Sequence, residues 1–461
     1  MGISKLLIAN RGEIAVRIIR AAREMGIRTV QVYSAADANS LAVEMADETF
    51  EIGPPPAAKS YLNIDAVLNA AKQTGADAVH PGYGFLAENA DFADAVEGAG
   101  MAFVGPSGDM IRSMGDKASA LKAAQLANVP TVPGSDGIID DLDAANVLAA
   151  EIGFPVMIKA TAGGGGRGIR VAENAEEFAR LAPQAAAEAK AAFGDGGLYL
   201  EKLITKARHI EVQILGDGTH FVHCFERECS LQRRRQKVWE EGPSIALSEE
   251  VREKLCSSAV KLAASVKYRG AGTVEYLYDD ESGDFYFIEM NTRIQVEHPV
   301  TEAITGIDLV KEMIAIAGGT PLSVAQGDIE LRGHAIEVRI NAEDPANNFM
   351  PFPGIVSDFR TPGGPGVRFD HMLYDGYPIP PFYDSLVGKL IVHAHTRAAA
   401  IARLARAITE LKTGSLKTTA PLFAALARDA DVQAGHFHTK WLEPWLDENA
   451  HTLSDDEGTK R

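Results

Sequence analysis

The sequence predicts an α/β protein of about three domains, since domains run ~100–200 residues and the chain has 461. Three observations carry this. The first hundred residues alternate short apolar runs with helical stretches. A glycine loop, Thr161-Ala-Gly-Gly-Gly-Gly-Arg-Gly168, lies between two further apolar runs. From about Ile204 onward, strands with strict apolar–polar alternation dominate.

In chain order, residues 6–9 read as a strand and 13–25 as a helix stopped by Gly26. Residues 29–33 and 76–80 read as strands, the second preceded by a helical stretch from Ile64. A helix over 90–99 leads to a strand at 101–104. This βαβ rhythm predicts a mostly parallel, Rossmann-like sheet. The first turn, Asn10-Arg-Gly-Glu-Ile-Ala15, lacks G-x-G-x-x-G, so no dinucleotide cradle is expected there. A second region, 114–203, has apolar runs at 155–159 and 197–201 around the glycine loop and an Ala/Glu-rich helix near 172–192. Its size and glycines suggest a small mobile lid. In the third region, 273–278 and 285–290 flank Asp279-Asp-Glu-Ser-Gly283, which predicts a β-hairpin. The run Phe285–Pro299 places Glu289, Asn291, Arg293, Gln295 and Glu297 at every second position, on one face of a single strand. An edge strand with a solvated face is the plain alternative. The apolar entry Tyr286-Phe287-Ile288 reads as buried interior instead. A second stripe, Ala335-Ile-Glu-Val-Arg-Ile-Asn341, carries Glu337, Arg339 and Asn341. A Pro/Gly-rich stretch over 351–366 and a final amphipathic helix near 398–412 complete the pattern.

The formal net charge of −18 argues against a nucleic-acid binder, whose affinity rests on basic patches. The cluster Arg233-Arg-Arg235 with Lys237 is a local exception, read as a solvated loop or, better, as a contact for a phosphate or carboxylate. No run of ~18 apolar residues predicts a membrane span, and the N-terminus enters a strand at once, so a cytoplasmic location is expected. Cys224, Cys229 and Cys256 fit neither a disulfide framework nor a zinc site and are expected to be free, partly buried thiols.

Three constellations carry chemistry. Gly163, Gly164, Gly165 and Gly166 can take φ values closed to other residues and so let backbone N–H groups approach phosphate oxygens. The loop lacks the Lys-Ser/Thr of a Walker A motif; Lys159 and, more weakly, Lys117 are candidate phosphate partners. Glu275 and Glu289 lie symmetrically about Ser282, so the hairpin brings two carboxylates together. Like charges across strands need neutralising, and Mg²⁺ with Asn291 as a further ligand would do it; a water-screened surface pair is the alternative. At the end of the stripe, Arg293 and Arg339 suit a small oxyanion such as bicarbonate, beside Glu297 as a general base.

Longer segments identify a family resemblance. Ile8-Ala-Asn-Arg-Gly-Glu-Ile14, His80-Pro-Gly-Tyr-Gly-Phe85, Met114-Gly-Asp-Lys117, the glycine loop, residues 232–237, Arg269-Gly-Ala-Gly-Thr273, residues 289–299 and Arg339-Ile-Asn-Ala-Glu-Asp-Pro345 together resemble biotin carboxylase, from about residue 3 to about 445. The resemblance implies an ATP-grasp fold with an N-terminal Rossmann-like domain (1–114), an ATP-grasp region (115–330, lid about 131–203), a C-terminal α+β domain (331–447) and an acidic tail (448–461). It implies that Lys117, Lys159, the glycine loop, Glu201, Lys202, His209 and Gln232 contact ATP, and that Glu275, Glu289 and Asn291 hold Mg²⁺ or Mn²⁺. Lys237, Arg293 and the Val296 backbone would bind bicarbonate, Glu297 would deprotonate it, and Arg339 would stabilise the enolate-like oxygen of biotin, with Tyr83 and Gln295 near the ring. The implied activity is ATP-dependent carboxylation of biotin through carboxyphosphate, the first half-reaction of an acetyl- or propionyl-CoA-type carboxylase. No Met-Lys-Met site occurs in the sequence, so biotin is expected on a separate carrier protein or biotinylated subunit, an excised domain being the alternative. A carboxyltransferase subunit and a homodimer are the other implied partners. Two departures stand out: Arg235 where many relatives have His, and Trp239 and Gly242 where smaller aliphatic residues or Ala are usual. Another ATP-grasp ligase, working through an acyl phosphate, and a silent ATP-binding subunit are the competing readings.

Overall fold

The computed structural model describes residues 2–135, 137, 139, 141–160, 169–193 and 197–453. It forms two compact units: Met1–Val129 with Arg208–Leu277 and Glu289–Arg461, and Pro130–Ala207 with Tyr278–Ile288.

The first unit opens with the expected parallel sheet. Its strands run in the order Glu48–Gly53, Arg28–Ser34, Lys5–Ile8, Ala78–His80, Ala102–Phe103, every neighbouring pair parallel. Leu6, Leu7 and Ile8 of the central strand are wholly buried, as a strand covered on both faces requires. Helix Gly12–Glu24 follows it directly, and Gly26 turns the chain with φ +73°. The helices Ile64–Thr74 and Ala90–Gly98 start on Asn63 and Asn89, whose side chains accept the N–H of Ala66 and Phe92. The strand Glu48–Gly53 was not foreseen: at the sheet edge it carries Glu48 and Glu51, and its apolar signal is correspondingly weak.

A second, eight-stranded sheet carries the polar stripes. Its order is Phe285–Asn291, Arg269–Asp279, Ala207–Asp217, Phe221–Arg233, Gln236–Gly242, His334–Asn341, Leu386–Ala394, Val367–His371. Two expectations change here. The strand Phe285–Asn291 is an edge strand, although Tyr286 and Phe287 are buried. It also ends at Asn291, so the five polar residues do not share one strand. His298 Nδ1 lies 2.7 Å from the Gln295 carbonyl, and Pro299 sits in the first turn of helix His298–Thr305; these close the chain into a turn. Helix Arg397–Glu410 covers the C-terminal end of the sheet, with Leu404, Phe423, Trp239, Val338 and Leu390 in one core. It is not the last helix: Ala420–Leu426, Ala430–Ala434 and Leu442–Asn449 follow, too short for a legible periodicity. Trp239 is absorbed by this core, and a Cβ at Gly242 would come within 2.9 Å of Val300 Cγ1.

The second unit has an antiparallel three-stranded sheet, Ile169–Ala172, Val156–Ala160, Leu198–Lys202. Helices Leu142–Ile152 and Ala175–Phe193 supply Ala145, Ala149, Phe178 and Ala182 to a core with Val156, Ile158, Leu198 and Leu200. The glycine loop, Gly163 to Gly166 included, lies outside the described residues.

The basic cluster is largely used within the chain. Arg233 stacks 3.8 Å from the Phe349 ring centroid, and Arg234 donates its backbone N–H to Glu443 and its guanidinium to Asn348 Oδ1. Arg234 and Arg235 both have left-handed φ, +49° and +66°, in a two-residue turn that favours Asn-Gly. Arg235→Gly is therefore expected to stabilise the chain by about 1 kcal/mol, seen as a raised urea midpoint.

Candidate active site

Antiparallel strands project alternate side chains onto one face, and here that face gathers buried charges from several strands. Lys237 is the hub. Its Nζ donates to Glu211 Oε2, to Glu275 Oε1 at 2.9 Å and to Glu297 Oε1 at 2.8 Å. A register shift between the Phe221–Arg233 and Gln236–Gly242 strands lets Lys237 and Glu240, three residues apart, serve the same cluster. Burial opposes the ammonium, but the three carboxylates win and its pKa lies well above the usual lysine value.

Arg227, wholly buried, braces the cluster from below. It donates to Glu211 Oε1 (2.7 Å), Gln213 Oε1 (2.9 Å), Thr301 Oγ1 (2.7 Å) and Gln295 Oε1 (2.8 Å). Gln295 passes its own Nε2 to Glu275 Oε1 at 2.8 Å. Both ends of that amide are thus engaged, and Gln295 is not among the residues lining the cavity described below.

Glu297 and Arg339 meet. Arg339 donates NH2 to Glu297 Oε2 at 3.0 Å and Nε to Glu240 Oε1 at 2.7 Å. Burial raises the Glu297 pKa, yet Lys237 foremost, with Arg339 and Arg227, holds it below the ordinary carboxylate value. Arg293 donates Nε to Glu88 Oε2 at 2.9 Å and NH2 to Asn291 Oδ1 at 3.1 Å. Tyr83, Arg293, Val296 and Arg339 line a cavity of about 550 Å³ together with Arg11, Glu13 and Phe382. The Tyr83 hydroxyl donates to Glu13, and the wholly buried Lys389 donates Nζ to the Val296 carbonyl at 2.8 Å.

His209 Nε2 lies 3.0 Å from Glu275 Oε2. Burial lowers its pKa, but Glu275 more than reverses this and carries it to about 9, so the imidazole is cationic at neutral pH. Asn291 Nδ2 donates to Glu275 Oε1 at 2.8 Å. Glu289 is exposed and, among the described residues, has no hydrogen bond or ion pair of its own; burial and the neighbouring Glu275 push its pKa up. Two carboxylates and an amide oxygen are the donor types a hard divalent cation takes; here Lys237 and His209 hold Glu275, and Arg293 holds the Asn291 oxygen. Two other groups of ligand-type atoms, His209–Glu211–Glu275 and Glu211–Cys229–Glu297, have the Lys237 ammonium on their glutamates.

Gln232 turns its amide to the Cys229 carbonyl at 2.9 Å. Lys117 is exposed at the start of helix Lys117–Leu126. In the second unit Lys159 pairs with Glu201, and Lys202 is half-buried. Sequence reading missed Glu211, Arg227, Glu240 and Glu88. The run His209-Ile-Glu-Val-Gln213 alternates as the recognised stripes do, and that signal would have found Glu211.

A parallel-sheet domain, a buried lysine–carboxylate face and a small second unit fit the ATP-grasp architecture that the resemblance implies. Family profiles agree: "Biotin carboxylase, N-terminal domain" matches residues 2–111, "Carbamoyl-phosphate synthase L chain, ATP binding domain" 116–325, and "Biotin carboxylase C-terminal domain" 337–444. Biotin carboxylase 1 of Bacillus subtilis is 54% identical over 444 residues, 96% of this chain and 99% of that one. The biotin carboxylase domain of a thermophilic 2-oxoglutarate carboxylase bound to ADP superposes with TM-score 0.93 at 48% identity, covering 98% of this chain and 99% of that one. The Hydrogenobacter thermophilus 2-oxoglutarate carboxylase biotin carboxylase domain dimer, in complex with MgADP, ADP and bicarbonate, gives TM-score 0.83 at 48% identity and the same coverage. The chain belongs to the biotin carboxylase family, ATP-dependent carboxylase ligases.

Proposed function

We propose that this chain carboxylates biotin with bicarbonate and ATP, and that Lys237, Arg293, Glu297 and Arg339 do the chemistry at the cavity edge. The observation that carries this is Glu297 held between Lys237 and Arg339, with Arg339, Arg293 and Val296 lining one cavity. Lys237, Arg293 and the Val296 backbone bind the bicarbonate anion, and Glu297 takes its proton. Bicarbonate oxygen then attacks the γ-phosphorus of ATP, ADP leaves, and the carboxyphosphate formed splits to CO₂ and phosphate. That phosphate takes the N1′ proton of biotin, while Arg339 stabilises the negative oxygen of the ureido group as N1′ bonds to CO₂. Tyr83, on the cavity wall, and Gln295, whose amide is held by Arg227 and Glu275, are assigned to the biotin side. Phosphoryl transfer rests on alignment and fixed charge more than on covalent help, which suits a site built of clamped ion pairs.

Lys117, Lys159, Gly163–Gly166, Glu201, Lys202, His209 and Gln232 are assigned to ATP, and Glu275, Glu289 and Asn291 to Mg²⁺ or Mn²⁺, which neutralises phosphate charge. Glu289→Gln is expected to raise the Mg²⁺ concentration for half-maximal turnover about tenfold, the loss of ~1.4 kcal/mol of binding. A magnesium titration checks it. The three parts of the reading are 1–114, 115–330 and 331–447. The carrier is a biotinylated protein, the acceptor an acyl-CoA such as acetyl- or propionyl-CoA on a carboxyltransferase partner, the assembly a homodimer and the compartment the cytoplasm. The two 2-oxoglutarate carboxylase neighbours favour a 2-oxo acid acceptor as the second reading. Among the described residues no helix is long and apolar enough to cross a membrane.

Incubation with Mg-ATP, free biotin and labelled bicarbonate tests the reading. Label in acid-labile, biotin-dependent product is expected. ATP cleavage with no such product returns the chain to the competing acyl-phosphate ligases.

A further inference from the structure

Two buried carboxyls behind Arg339 have no role in the scheme above. Glu240 and Glu337 are direct cross-strand partners in the ladder between Gln236–Gly242 and His334–Asn341, and both are wholly buried. Glu240 spends Oε1 on Arg339 Nε at 2.7 Å, and among the described residues its Oε2 has no partner. Neither oxygen of Glu337 has one among them. Like charges directly opposite on a ladder repel, and a buried carboxylate without hydrogen bonds carries a large desolvation cost.

The surroundings do not supply a cation for both. On the strand before, Lys237 is taken by Glu211, Glu275 and Glu297, and Glu241 by His334 and Arg397. On the strand after, Lys389 donates to the Val296 carbonyl and lies 3.3 Å from Glu13 Oε1, and His393 bonds the Arg332 carbonyl. From helix His298–Thr305, His298 is kept neutral by burial and Glu302 is paired with Arg17 and Arg368. From helix Arg397–Glu410, Arg397 serves Glu241, and Arg403 the His393 carbonyl. Tyr83 adds a hydroxyl already given to Glu13. Arg339 itself is divided between Glu240 and Glu297.

We propose that Glu240 and Glu337 act as a carboxylate–carboxylic acid pair that positions Arg339, Glu240 bearing the charge and Glu337 the proton. Glu240 fixes the Nε edge of the guanidinium. Glu337, kept neutral, spares Arg339 a third negative neighbour, so its charge stays available to an oxyanion in the cavity. The inference rests on the proposed biotin-side role of Arg339, and it makes the two glutamates positioning residues. The electrostatics agree: burial foremost, with Glu240 and Glu297 adding, pushes Glu337 well above the carboxylate range. Burial, opposed by Arg339, carries Glu240 to about 7. As pH falls through about 7, Glu240 takes a proton and Arg339 Nε loses its charged acceptor.

The test compares wild type, Glu240→Gln and Glu337→Gln by ADP release with Mg-ATP and bicarbonate, with and without free biotin, across pH. In wild type the biotin-stimulated part is expected to fall on the acid side of about pH 7. Glu240→Gln should lower kcat/KM for biotin about tenfold or more, the worth of one charged hydrogen bond, and should lack that acid limb. An unchanged acid limb in Glu240→Gln, or equal losses with and without biotin, overturns the proposal. Infrared spectroscopy supplies a readout free of activity: a protonated-carboxyl C=O band, shifted in D₂O, is expected in wild type and missing in Glu337→Gln. Identical spectra overturn the proposal even if Glu240→Gln does not fold. Wild type without bicarbonate-dependent turnover would instead defeat the carboxylase reading and leave the infrared result to decide the proton.

Discussion

Lys237→Met is expected to abolish turnover and to destabilise the folded chain by about 3–5 kcal/mol, the cost of breaking a buried charge network from one side. Among the described residues the ammonium is the one group bonded to Glu211, Glu275 and Glu297 at once. Methionine fills much of the same volume and supplies no charge, so three carboxylates crowd one another with only Arg227, His209 and Arg339 left to answer them. The sign of the pH dependence follows. Burial raises the pKa of Glu211, Glu275 and Glu297, but Lys237, the largest favourable cause in each, brings all three below the ordinary value. Stability from such groups is present above the unfolded carboxylate pKa, about 4.3, and is lost as pH falls through the depressed folded values. The gap between wild type and Lys237→Met should therefore be full at neutral pH and shrink below about pH 4. Urea unfolding at several pH values measures it; a gap independent of pH would show that the ion network is not the cause.

Glu297→Gln should leave the fold intact and reduce bicarbonate-dependent turnover by about 10²–10⁴-fold, the contribution of a positioned general base. Glutamine keeps the shape and can still accept from Lys237 or Arg339, which in wild type reach opposite oxygens of Glu297. It cannot take a proton. Between its two cations the free carboxylate is a weak base; an anion arriving beside it disfavours the charged form and raises its pKa toward a useful range. Turnover of the variant within a few-fold of wild type, with its melting transition unchanged, would move the base elsewhere.

Much of this was legible in the sequence for a physical reason: parallel strands and amphipathic helices leave strong periodic signals. The sheet over residues 5–103, apart from its edge strand Glu48–Gly53, follows from them, as does the hairpin turning at 280–284, where the Asp279 N–H donates to the Asp284 carbonyl. Glu297 and Arg339 were on recognised stripes, and tertiary structure brings them together. What escaped was long-range. The stripe 289–297 breaks after Asn291 because a turn and Pro299 compete with extension. Arg227 is a buried charge contributed by a strand whose polar residues resemble solvated ones until the partners are known. The register shift that aligns Lys237 with Glu240 leaves no mark in composition or periodicity.

The most direct measurement is ADP release by the purified chain with Mg-ATP, with and without bicarbonate, and with and without free biotin. The site built around Glu297 predicts turnover that needs bicarbonate and rises with biotin. Turnover indifferent to bicarbonate would contradict it.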